Sequence, residues 1–260
     1  MHLSGLDLLF WAGGFVGHVV LLFVLIRRGR ANRFPVFTTL IGASIVRTVA
    51  LFLVFRSGVR YQYYFAYWIL LFVDATLQFA VVYEIAAHIF RPLGSWVRDV
   101  KGGLAVLIFV SLAIAAGLTM LASPPTQIWI ETLVIKWNFF TSTCLSELFV
   151  GILALSVTAG LPWKTHVARI AQGLGVYSIF EVLIETSRNC FGLGGDNHVY
   201  VLLSHIRMLV YLGCLCFWAL TLWSDEPVPR PLTDEMRAQL SVFQQRLQDD
   251  LRRVRSARWL

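Results

Sequence analysis

The chain has 260 residues, 57% of them hydrophobic and only 14% charged, with a formal net charge of +7 and a mean hydropathy of +0.69. Soluble domains carry about 25% charged residues, so a soluble enzyme, a secreted disulfide scaffold and a disordered regulator are all excluded. Seven apolar spans of about 20 residues fit the length. The expected fold is therefore an all-α integral membrane bundle of seven transmembrane helices, with the lipid bilayer as its first partner. A basic balance that in a soluble chain would point to nucleic acid is explained by topology, and no nucleic-acid partner is expected.

Long apolar runs place the first span at roughly Asp7 to Ile26, closed by Arg27-Arg28-Gly29-Arg30. This run lacks a cationic leader and a small-x-small cleavage site, so it reads as a retained span and not a signal peptide. Its Gly13 and Gly17 form a GxxxG, read as close packing against a neighbouring helix. The second span is Phe34 to Phe55, the third Tyr63 to Phe90 and the fourth Leu104 to Leu121. The fifth starts near Ile128 and reaches Ala159, long enough to tilt or to continue past the membrane surface. The sixth covers Ile170 to Cys190 and the seventh Val199 to Trp223. Tyr61, Tyr63, Tyr64, Trp68, Trp129, Trp163, Trp218 and Trp223 read as interfacial anchors. The four cysteines, Cys144, Cys190, Cys214 and Cys216, show no zinc spacing and read as small buried apolar residues.

Loop charge sets the orientation. Arg27, Arg28, Arg30 and Arg33, then Arg91, Arg98 and Lys101, then Lys164 and Arg169, and seven tail arginines fall on one side. The opposite loops hold Arg56, Arg60 and Arg188. The positive-inside rule then puts the N-terminus outside and the C-terminus in the cytoplasm of what is expected to be a bacterial inner membrane.

The composition changes at Asp225, which divides a seven-helix domain over 1–224 from a cytoplasmic segment over 225–260. Pro227, Pro229 and Pro231 stiffen its start, and Thr233 with Asp234 and Glu235 reads as a helix N-cap. Met236, Leu240, Phe243, Leu247 and Val254 form an apolar stripe interrupted by Asp250. This short amphipathic helix, Thr233–Leu260, suits anionic lipid headgroups or a cytoplasmic protein partner, and no output domain follows it.

Ionisable residues within the apolar runs are the best functional pointers, because each costs about 2.5–3.5 kcal/mol at a helix centre on insertion scales. The outer halves of the spans bring together Arg47, Lys136, Arg188 and Arg207 against Asp74, Glu131, Glu181 and Glu185. Tyr177, Glu181, Glu185 and Arg188 share one face of span six, and Tyr200, Ser204, Arg207 and Tyr211 one face of span seven. Lys136, Thr143 and Glu147 line span five, and Asp74 with Gln78 line span three. These stripes must face the interior, giving a polar outer chamber bounded by spans two, three, five, six and seven. Arg47, Asp74, Lys136, Glu181, Glu185, Arg188, His205 and Arg207 are the candidate ligand-binding residues. The same groups read equally as satisfied structural ion pairs. Glu84 and Glu147 lie deeper and are candidate steps of a proton or ion path. His18 and His205 meet the first requirement for haem ligation only if their spans face each other at one depth, so no cofactor is expected, and no metal.

No HExxH, P-loop or GxSxG is present, no catalytic residue is placed, and the balance of the sequence leans away from an enzyme. Span seven has no lysine to carry a retinal Schiff base. Tyr83-Glu84-Ile85 with His88, Phe90, Arg91 and Pro92, and Gly160-Leu161-Pro162-Trp163, resemble a signature of uncharacterised bacterial seven-span membrane proteins; the resemblance covers the chain up to about Trp223 and implies no activity. The resulting expectation is a receptor-like, sensor or accessory module that binds a small polar or anionic ligand from outside. The alternative is a small proton-coupled transporter.

Overall fold

A computed structural model describes residues 5–57, 60–90, 97–123, 129–158, 166–191 and 197–225. The chain divides into two compact units, Met1–Asp225 and Glu226–Leu260, and all the described residues belong to the first. The tail stripe from Met236 to Val254 and its Thr233 cap lie outside the described residues.

The described residues form seven helices and no strand: α1 (Gly5–Arg27), α2 (Pro35–Ser57), α3 (Arg60–Phe90), α4 (Val97–Leu121), α5 (Trp129–Thr158), α6 (His166–Phe191) and α7 (Asn197–Trp223). Helices α3, α4 and α6 begin several residues before the apolar runs that announce them, because Arg60, Val97 to Gly103 and His166 to Arg169 carry the helix beyond the apolar stretch. Stretches of α1, α2, α3, α6 and α7 are long and apolar enough to cross a membrane. The apolar part of α4, Ala105–Leu121, is shorter. Helix α5, with Asn138, Thr141 to Thr143 and Glu147 along its length, is not among the five. Large apolar side chains such as Leu9, Phe23, Leu53, Phe72, Phe109 and Leu209 stand exposed on the outer faces, as a polytopic membrane protein requires and as a water-facing surface does not.

The helices pack in the order α1, α2, α3, α5, α6, α7 and back to α1, with α4 laid against α5 and α3 also meeting α6. Helices α1, α3, α5 and α7 begin at the same end of the bundle, called here the first end. The parallel course of α1 and α7 follows from Gly13 against Leu212 and Gly17 against Leu215. The GxxxG thus serves the α1–α7 seam, where the missing side chains let α7 leucines approach α1. Gly173 plays the same part for α6: a methyl group there would strike the indole of Trp218. Trp218 is therefore a core residue, edge-on to Phe37 with ring centroids 5.4 Å apart, and not an interfacial anchor. Among the described cysteines, Cys144 and Cys214 are buried as expected, but Cys216 is exposed on the outer face of α7.

Two junctions show how helix ends are satisfied. Gly29 has φ of +65°, a conformation glycine adopts without steric penalty. It closes α1 in a Schellman motif, with Arg30 N–H donating to Leu25 O (2.8 Å) and Gly29 N–H to Ile26 O (3.0 Å). Helix α2 then starts at Pro35, which has no N–H to leave unpaired. The next two N–H groups, of Val36 and Phe37, donate to Oε1 and Oε2 of Glu84 on α3, each at 3.0 Å. A buried carboxylate on a helix N-terminus is favoured by both hydrogen bonds and the helix dipole. The far end of α7 is held by cations: Arg30 Nη2 donates to Ser224 O (2.6 Å) and Arg169 Nη1 to Thr221 O (2.7 Å), while the Arg28 guanidinium lies 4.7 Å from the Trp223 ring centroid.

Replacing Glu84 by Gln turns one acceptor oxygen into a donor facing a backbone N–H. Reversible unfolding in mixed micelles is expected to show a loss of about 1–3 kcal/mol without loss of helix content.

Candidate functional site

A cavity of about 330 Å³ opens within the bundle, walled by α1, α2, α3, α5, α6 and α7. Its charged wall residues are Arg47 on α2, Asp74 on α3, Glu181 on α6 and Arg207 on α7. Helix α1, absent from the chamber expected from sequence, contributes Trp11, Phe15 and His18; Tyr67, Trp137 and Tyr211 add further aromatic surface.

The charges are paired along the wall. Arg47 Nη1 lies 2.8 Å from Asp74 Oδ2, tying α2 to α3, and Gln78 Nε2 donates to the same oxygen at 3.0 Å. On α6 the expected stripe is present. The Tyr177 hydroxyl donates to Glu181 Oε1 (3.2 Å), and Arg207 Nη1 approaches Glu181 Oε1 at 3.7 Å and Glu185 Oε1 at 3.6 Å. Glu185 is 1% exposed and sits behind the cavity wall. It accepts from Arg188 Nη1 at 2.7 Å, while Arg188 Nη2 donates to Ser204 Oγ at 2.6 Å. In both cavity-facing pairs the arginine side chain is the more exposed partner, 33% against 15% for Arg47–Asp74 and 31% against 15% for Arg207–Glu181. Arg47 and Arg207 are thus the more accessible members of the two pairs.

His18 holds the α1 side of the wall. Its Nδ1 donates to Gly14 O at 2.6 Å, and Nε2 lies 2.6 Å from the Tyr211 hydroxyl. A carbonyl only accepts, so Nδ1 carries the proton, and in the neutral ring Tyr211 donates to Nε2. His205 sits elsewhere, with Nε2 3.1 Å from Asp7 Oδ1 and its ring stacked on Phe10. The two imidazoles thus have separate partners.

Most hydroxyls in the bundle return to their own helix: Thr38, Ser44, Thr48, Thr76, Thr119 and Thr221 each donate to the carbonyl four residues back, the usual outlet for such groups on a helix away from water. Thr141 does not. It is buried, its Oγ1 has no partner, and it lines the cavity from α5 one turn after Asn138.

The structure thus brings Arg47, Asp74, Glu181 and Arg207 together on the cavity, places Glu185 and Arg188 directly behind it, and sends His205 to Asp7. Lys136 is half-buried on α5 and makes no ion pair among the described residues; its neighbours Trp137 and Asn138 line the cavity instead. Glu84 caps α2. Glu147 does not line the cavity; one turn on, Gly151 packs on Leu107 of α4. The side chains of Glu131 and Tyr200 lie outside the description. The His18–Tyr211 contact, Asn138 and Thr141 were not read as site residues; a histidine one turn after glycine on an apolar helix, and the Trp137–Thr141 spacing, are the signals that mark them. The chain matches no family model, no curated protein and no solved structure.

Breaking a buried pair leaves a charge uncompensated. Glu185→Gln, which removes the carboxylate facing Arg188 and Arg207, is expected to lower stability by about 3–5 kcal/mol. Lys136→Gln is expected to stay within about 0.5 kcal/mol of wild type in the same unfolding assay.

Proposed function

We propose that the chain is a seven-span, N-out and C-in protein of a bacterial inner membrane, acting as a receptor-like or accessory module. It binds a small polar ligand with an acidic group in the six-helix cavity. The observation that carries this reading is the cavity itself, a space of ligand size onto which Arg47 and Arg207 present guanidinium groups. Five donors on each guanidinium exceed what Asp74 and Glu181 occupy. The orientation is supported by the arginines at the α1–α2 junction and at the start of α6, which gather at the end opposite Arg47 and Arg207. Helix α7 links the two levels, since it carries Arg207 and Tyr211 on the cavity and ends among Arg28, Arg30 and Arg169. A ligand that shifts α7 has to strain those contacts, which supports a signal passed to a separate partner through the following segment, Thr233–Leu260, or through anionic lipid bound there.

A proton-coupled carrier is the second reading, favoured by Glu147, whose Oε2 is buried and has no partner. It predicts substrate-dependent flux in proteoliposomes that Glu147→Gln abolishes.

The test of the first reading is thermal unfolding of the full chain in nanodiscs against a panel of polar metabolites. A ligand at 100 times its Kd adds about 2.7 kcal/mol to native stability, and Arg207→Gln should remove that gain. A panel in which no compound shifts the wild-type protein contradicts the reading.

A further inference from the structure

We propose that the cavity is a zwitterion site, taking a small molecule that carries an ammonium and a carboxylate together on an aromatic or branched apolar body, as an α-amino acid does. The inference rests on the ligand-binding reading above and names the ligand class for the same cavity.

Charge balance is the first argument. The charged residues of the wall are Arg47 and Arg207 against Asp74 and Glu181, and they already neutralise one another. A net anion brought among them adds a charge that the wall does not balance, which is disfavoured wherever the site is desolvated. A zwitterion adds none and can exchange partners with both pairs.

Hydrogen-bonding capacity is the second. Both contacts to Asp74, from Arg47 and from Gln78, fall on Oδ2. Both contacts to Glu181, from Tyr177 and from Arg207, fall on Oε1. Asp74 Oδ1 and Glu181 Oε2 have no partner among the described residues and belong to side chains that line the cavity. Arg47 and Arg207 likewise form their ion pairs through Nη1 alone. Acceptors and donors of opposite charge are thus open side by side, which suits a ligand bearing both charges and leaves half the site idle with an anion.

The buried Thr141 hydroxyl is the third and independent observation. It is buried on the α5 wall with no protein partner among the described residues, a donor and acceptor open to a ligand's polar group. Trp11, Tyr67 and Trp137 line the same cavity, and aromatic side chains attract an ammonium by cation–π interaction and pack against an apolar body.

The test uses matched probes that differ only in charge: phenylalanine, 3-phenylpropanoate and phenethylamine, then leucine, 4-methylpentanoate and 3-methylbutylamine. Each is titrated against the full chain in nanodiscs, read by thermal shift and by isothermal calorimetry. The expected result is that at least one zwitterion binds about tenfold or more tightly than both its partners, the worth of one charge-assisted hydrogen bond. Glu181→Gln or Asp74→Asn should erase that preference; two variants are used because each removes the partner of a different arginine, Arg207 or Arg47. An anion that binds as well as its zwitterion, and that Arg207→Gln abolishes, overturns the zwitterion assignment and leaves the ligand-binding reading standing. If no zwitterion binds while a net anion from the metabolite panel does, the assignment is again overturned. If nothing in either panel binds, both fall.

Discussion

A charged side chain on a helix with apolar surroundings must find its partner on the same or a neighbouring helix, because lipid offers none. Most of the architecture of this bundle follows from that constraint. Arg47–Asp74 joins α2 to α3, and the Glu84 carboxylate joins them again at the far end. Arg207 with Glu181, and Arg188 with Ser204, join α6 to α7. His18 with Tyr211, and Asp7 with His205, join α7 to α1. These ties run along the wall at the α2–α3, α6–α7 and α7–α1 seams and leave a space inside the ring. Helix α4 shares no such polar tie among the described residues and packs on the outside of α5.

Apolar packing complements this polar frame at the opposite level. Trp218, Phe37, Leu21, Leu25 and Leu222 are fully buried there, and Gly173 admits the indole where any side chain would displace it. The charge pairs of the cavity wall lie toward the first end of the bundle and close packing lies toward the other. The cavity lies where the polar half meets the packed half, with Trp218 also among its lining residues. The close-packed far half thus holds the helix ends opposite the polar cavity.

Much of this was legible in the sequence, for identifiable reasons. Helix positions follow from apolar runs, and the Tyr177–Glu181–Glu185–Arg188 stripe follows from helical phase alone. Partner choice does not, because periodicity says which face a residue is on and not which helix lies opposite. Glu84 therefore read as a deep ionisable step, when the N-terminus of α2 beside it uses both its oxygens. Glu147 read likewise as a deep step of an ion path, and it does not line the cavity. Lys136 read as a binding residue by depth, while the residues just after it, Trp137 and Asn138, point inward. His18 escaped because a lone histidine on an apolar helix gains meaning only when Tyr211 is known to face it. Trp218 and Cys216 exchanged their expected places, core for interface, since amphipathic and small residues fit either environment and tertiary packing decides.

The central claim is that interhelical charge pairs hold the walls of the cavity in place. Its most direct test is a double-mutant cycle on Arg47 and Asp74, with unfolding free energies of wild type, Arg47→Gln, Asp74→Asn and the double variant measured in the same lipid–detergent mixture. The account predicts that the two single losses together exceed the loss in the double variant by about 0.5–3 kcal/mol, the range for residues in direct contact. Single losses that simply add would show that the two side chains do not depend on each other, and would contradict it.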